Sequence, residues 1–79
     1  MAVVRFNLYN ALMKTYEGEI ASALANIEIY MQNPTGIGEH PDLVTAVDTQ
    51  FQRLAEASEK LTVLKEYFKQ YTNFKYDDL

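Results

Sequence analysis

Residues 33–41, Asn33-Pro34-Thr35-Gly36-Ile37-Gly38-Glu39-His40-Pro41, hold both prolines and two of the three glycines of the 79-residue chain. They divide it into two long segments whose apolar residues recur at alternating steps of three and four, the spacing of one helix face packed on a partner helix. Asn33 followed by Pro34 ends the first helix, because proline disfavours helical geometry in the residue before it. His40 near the N-cap and Pro41 at the first helical position start the second, where the N–H that proline lacks had no partner to lose. Asp42 then meets the positive end of the helix dipole. The expectation is an all-α fold with one domain over residues 1–79. Its parts are helix 1 over about 4–32, a loop over 33–40, helix 2 over about 41–72 and a tail over 73–79.

In the first segment Phe6, Tyr9, Met13, Tyr16, Ile20, Ala23, Ile27 and Tyr30 follow one another at steps of 3, 4, 3, 4, 3, 4 and 3, an unbroken coiled-coil-like heptad seam. Leu12, Leu24 and Met31 widen the apolar face beyond a narrow stripe. Gly18 lies off the seam and costs the helix about 1 kcal/mol relative to alanine. In the second segment Val47, Gln50 or Phe51, Leu54, Ala57, Leu61, Leu64, Phe68 and Tyr71 continue the same alternation. Folding the helices back about the loop gives an antiparallel two-helix hairpin that pairs residues whose numbers sum to roughly 73 or 74. Large residues then face small ones: Tyr16 meets Ala57, Ala23 meets Gln50 and Phe51, Ile27 meets Val47, and Phe6 meets Phe68.

One seam does not use all the apolar residues. Val4, Leu8, Leu24, Ile29, Met31, Val63 and Tyr67 cannot all point into it. A second stripe of this extent is buried either by self-association of two hairpins into a four-helix bundle or by another protein. The partner-binding candidates are Leu24, Met31, Val63 and Tyr67, with Ile37 at the loop tip. An isoleucine between two glycines is useful there if it caps the bundle end or plugs into a partner.

The charges are unevenly spread. Residues 17–59 hold eight acids (Glu17, Glu19, Glu28, Glu39, Asp42, Asp48, Glu56, Glu59) against Arg53 alone, a balance of -7, while the remaining residues sum to +3, giving the net -4. The hairpin brings its two basic ends together, so the molecule is acidic toward the loop and basic toward the termini. The basic end carries the ingredients of a single-strand nucleic-acid platform, Lys65, Lys69 and Lys75 for phosphates and Tyr71, Phe74 and Tyr76 for bases. Against this reading, Phe6, Tyr9, Phe68 and Tyr71 fall on the seam, where rings serve as core.

No constellation of catalytic residues emerges. His40 is the one histidine and there are no cysteines, so disulfides, thiolate metal sites and a histidine dyad within one chain are excluded. The Glu-x-x-His pair of di-iron bundles is absent. Glu17 and Glu19, two residues apart, point in different directions on a helix. Gly36-Ile37-Gly38 lacks the preceding strand and following lysine that give a phosphate loop its meaning. Neither a metal nor a cofactor is expected, and the protein reads as non-enzymatic. Its start, Met1-Ala2-Val3-Val4-Arg5, lacks the basic-then-apolar order of a signal peptide, and no apolar run reaches the roughly 18 residues of a membrane span, so a soluble, intracellular protein is expected.

The stretch Asn26-Ile27-Glu28-Ile29-Tyr30, the loop motif Asn33 to Asp42 and the run Ala55-Glu56-Ala57-Ser58-Glu59-Lys60-Leu61 together resemble small uncharacterised helical proteins of T4-like tailed phages, including phages of marine cyanobacteria. The resemblance covers about half the chain. It implies a viral protein made in the cytoplasm of a bacterial host and implies no activity. A relative beside a recombination and repair helicase in phage genomes makes an accessory role there thinkable. The expected function is therefore a protein–protein interaction or accessory module whose partner is itself, as a homodimer, or another protein, with no membrane. The alternatives are a single-strand nucleic-acid accessory of recombination or repair and a small virion component.

Overall fold

A computed structural model of the chain describes residues 2–32 and 40–71. Two helices, α1 (Ala2–Gln32) and α2 (His40–Tyr71), pack against each other along a rod of 51 × 16 × 16 Å, an antiparallel helical hairpin. α1 begins two residues before the expected position 4, and α2 runs from 40 to 71. The loop over 33–39, with its candidate Ile37, and the tail from 72 onward lie outside the described residues.

The seam of α1 is the one its spacing predicts. Every member from Phe6 to Tyr30 is buried or half-buried. In α2 the choice between Gln50 and Phe51 falls to Gln50, which is 9% exposed, while Phe51 is 47% exposed. Gln50 continues the step of three from Val47 and four to Leu54, and Phe51 stands one position outside.

The seam has two chemically different halves. Near the termini Tyr9, Leu64 and Phe68 form the buried cluster, with Met13 and Tyr16 packed against it. Tyr9 meets Phe68 edge-on with ring centroids 5.2 Å apart, an arrangement in which the positive edge of one ring lies on the negative face of the other. Toward the loop the helices are tied by polar groups. Asn26 donates from Nδ2 to Gln50 Oε1 at 3.1 Å, and Arg53 donates to the same oxygen at 2.8 Å. Arg53 also donates from Nε and Nη2 to Glu19 Oε2, each at 3.2 Å, and to Ser22 Oγ at 3.3 Å. Arg53 therefore bridges the helices at the one site where the acidic half has a cation. No buried side-chain polar atom among the described residues lacks a partner, so Gln50 sits in the seam without the penalty of an unmade hydrogen bond. The Asn26–Gln50 bond fixes which residues stand opposite one another, since a slip of one turn would remove it and leave the buried Gln50 with only the bond from Arg53 of its own helix.

The contacts that cross between the helices join residues whose numbers sum to between 72 and 77, a range that holds the expected 73 or 74 and extends above it. The shift follows from Tyr9, which takes the place against Phe68 that Phe6 was expected to hold. Phe6 remains half-buried at the end of the cluster.

Gly18 faces open space: a Cβ built on it meets nothing within 4 Å. Its cost is then purely the backbone entropy of a helical glycine. Gly18→Ala raises the unfolding free energy by about 0.5–1 kcal/mol, read as a higher urea midpoint at fixed protein concentration; an unchanged or lowered midpoint would contradict the open environment.

Candidate interaction surfaces

The apolar residues left outside the seam do not form one stripe. When the seam positions of each helix are lettered a and d, Arg5, Leu12, Glu19 and Asn26 of α1 and Arg53, Lys60 and Tyr67 of α2 are all g positions. The Arg53–Glu19 ion pair, at 3.2 Å, shows that the g positions of both helices share one flank. On that flank, toward the termini, lie the exposed Leu8, Leu12, Val63 and Tyr67. Leu12, Val63 and Tyr67 border an open groove of about 670 Å³ whose floor is Leu64 and Phe68 of the core, with Tyr16, Lys60 and the acids Glu56 and Glu59 also lining it. Lys60 Nζ stands 5.8 Å from the centroid of the Tyr16 ring and 3.6 Å from Glu56 Oε1. Farther along, the groove continues into a recess of about 300 Å³ lined by Glu19, Arg53 and Glu56. This flank is thus apolar toward the termini and charged toward the middle of the rod.

The e positions occupy the opposite flank. There Leu24 and Met31 of α1 and Val44 and Phe51 of α2 are exposed, all near the loop end of the rod. The same flank turns basic toward the termini, with Lys14, Lys65 and Lys69 at neighbouring b and e positions. These two apolar groups lie diagonally, on opposite sides and toward opposite ends, while Val3 at an e position near the termini and Ile29 at a c position near the loop end are exposed outside them. This corrects the expectation of a single second stripe. Of the partner candidates, Val63 and Tyr67 belong to one flank, and Leu24 and Met31 to the other.

The chain matches no protein-family model, no curated protein and no solved structure.

The basic aromatic end has a different construction from the expected platform. Tyr9 and Phe68 are buried in the seam, so these rings have no face open to a base. Lys69 is exposed and Lys65 half-buried on the e and b side, while Tyr67 stands on the g side. The described lysines and the described exposed ring are thus not brought together. Phe74, Lys75 and Tyr76, and the side chain of Tyr71, lie outside the described residues. Among the described residues no group of three His, Cys, Asp or Glu side chains could hold a metal ion, and no helix is long and apolar enough to cross a membrane.

Leu12, Val44 and Phe51 join the surfaces although spacing alone did not single them out as partner-binding. Leu12 flanked the predicted seam and Phe51 competed for a place in it. The signal that separates them is the heptad letter, g for Leu12 and e for Phe51, combined with the antiparallel orientation.

Proposed function

We propose that this chain is a non-enzymatic helical-hairpin module that works by binding proteins through its two exposed apolar flanks. The observation that carries this reading is the exposure, among the described residues, of eleven large hydrophobic side chains, from Val3 to Tyr67, on a rod only 16 Å thick. Among the described residues five apolar side chains are buried, and a chain of this size gains a stable core most readily by association. Contiguous apolar groups rimmed by charges mark interaction surfaces on such a protein. The resemblance of the loop and neighbouring helix segments to tailed-phage proteins supports a setting in an infected bacterial cell, where the partner is a second copy, an accessory factor or a larger virion subunit.

The test is affinity capture from phage-infected and uninfected bacterial lysates, with wild-type protein beside Leu24→Glu/Phe51→Glu and Leu12→Glu/Val63→Glu variants. A bound protein that is lost from one variant and kept by the other supports the reading and assigns the flank. A protein that captures nothing and stays monomeric contradicts it.

The row of Lys14, Lys65 and Lys69 favours single-strand nucleic-acid binding as the second reading. Fluorescence anisotropy with a labelled oligonucleotide at low salt should then show binding that weakens steeply as salt rises and is lost in a Lys65→Gln/Lys69→Gln variant. No binding at low salt removes this reading.

A further inference from the structure

We propose that the groove flank is a homodimer face, and that a second copy packs on it antiparallel, about a two-fold axis that crosses the rod at the level of Leu12 and Val63. The proposal rests on the interaction-module reading and names the partner and geometry of one of its flanks.

The groove is an extension of the core. Its floor is formed by Leu64 and Phe68, members of the buried cluster, and its walls by Leu12 and Tyr16 on α1 and Val63 and Tyr67 on α2, with the charged Glu56, Glu59 and Lys60 also lining it. A gap between two helices floored by core residues is where a further helix layer of a bundle packs, and the exposed ridge of Leu8, Leu12 and Tyr67 from a second copy supplies apolar groups to fill it. A two-fold interface must be self-complementary, each residue meeting its own mirror position. Leu12 and Val63 stand level across the hairpin, their numbers summing to 75, within the range of the observed cross-helix contacts.

The charges decide the orientation. Arg5 and Glu19 are each one heptad from Leu12, on opposite sides and at the same g position. A two-fold axis running from α1 to α2 across this flank lays α1 antiparallel on α1 of the second copy, so Arg5 meets Glu19 of that copy twice over. Arg5 is exposed and makes no ion pair among the described residues. Glu19 holds Arg53 entirely through Oε2, which leaves Oε1 for a second cation. The other two-fold, parallel to the rod, stacks α1 on α2 at equal height and brings Glu19 against Glu56, acid on acid. The antiparallel choice thus turns the molecule's charge polarity from repulsive to attractive. On the opposite flank a two-fold through Leu24 and Phe51 carries Lys14, Lys65 and Lys69 beyond the end of the partner's described helices.

In this arrangement residues 2–22 of α1 overlap their symmetry copies over about 31 Å. Across a rod 16 Å wide this covers on the order of 500 Å² per chain, about 1,000 Å² in all, the lower bound for a specific interface. The dimer should accordingly dissociate within a measurable concentration range.

The test uses the absence of native cysteine. Arg5→Cys and Glu19→Cys chains are prepared separately, mixed, and treated with a short bismaleimide linker, beside each variant alone. Mass by light scattering is followed in parallel for wild type, Val63→Glu and Phe51→Glu, all verified as helical by circular dichroism. The proposal expects strong cross-linking in the mixture and little in either variant alone. It also expects a dimer weakened at least about tenfold by Val63→Glu, which buries a charge in the interface, and left unchanged by Phe51→Glu. Cross-linking of Arg5→Cys with itself as strong as in the mixture overturns the orientation. A dimer indifferent to Val63→Glu overturns the choice of flank while leaving the interaction-module reading standing. A wild-type protein that is monomeric throughout and captures nothing from lysate overturns both.

Discussion

Tyr9→Ala should lower the unfolding free energy by about 3–4 kcal/mol, in the range of buried aromatic truncations. Tyr9 is 1% exposed, the largest side chain among the fully buried ones, and it stands at the centre of the cluster with Leu64 and Phe68. Truncation removes the edge-to-face contact with Phe68 and opens a cavity between two helices that have no further layer among the described residues to collapse into it. Small domains have only a few kcal/mol in hand. The variant should therefore be largely unfolded at micromolar concentration, seen as a loss of helical circular dichroism at room temperature. Tyr9→Phe keeps the ring and should retain most of the signal. A Tyr9→Ala protein with a urea midpoint near wild type would show that the cluster does not hold the hairpin together.

The second large effect comes from adding volume. Ala23 is 0% exposed, and its neighbours on α1, Glu19, Ser22 and Asn26, all bond across to Gln50 or Arg53. A leucine at this position forces the helices apart and stretches those hydrogen bonds, leaving the carboxamide of Gln50 buried with weakened partners. Ala23→Leu should cost about 2–3 kcal/mol, the upper part of the range for overpacking. Ala21→Leu, two residues away on the exposed surface, should change stability by less than about 0.5 kcal/mol. Both are read from urea unfolding at one protein concentration, since any self-association would make the midpoint concentration-dependent. Equal effects at the two positions would contradict the close approach of the helices at Ala23.

The contrast between Ala21 and Ala23 shows what was legible in the sequence. Steps of three and four separate seam from surface, and in α1 they placed every seam residue correctly because no competing register was present. In α2 Gln50 and Phe51 competed. Hydrophobicity favoured Phe51 and the step pattern favoured Gln50. Gln50 takes the seam because Arg53 one turn along its own helix and Asn26 across the hairpin both bond its carboxamide, and the second of these is a tertiary fact that depends on the hairpin register. Arg53 was visible as the one cation among eight acids. Which acid it would hold was not, because several acids lie within one or two turns of it once the helices are folded together.

The surfaces were harder to read for a geometric reason. Distance from the seam follows from spacing, but the side on which a residue falls follows only when the orientation of the partner helix is known. Antiparallel packing gathers Leu8, Leu12, Val63 and Tyr67 on one flank and Leu24, Met31, Val44 and Phe51 on the other. A single count of surplus apolar residues merges the two groups. Their separation changes the functional reading, because a hairpin that buries one flank against a second copy still presents the other to a different protein.

Sedimentation equilibrium of the wild-type chain, from low micromolar to millimolar concentration, tests most directly the claim that one of these flanks is covered by a second copy. The account predicts a mass that rises with concentration from the 9.1 kDa of one chain toward twice that value, with helical circular dichroism strengthening in step. A well-folded protein that holds the mass of a single chain across the whole range would contradict it.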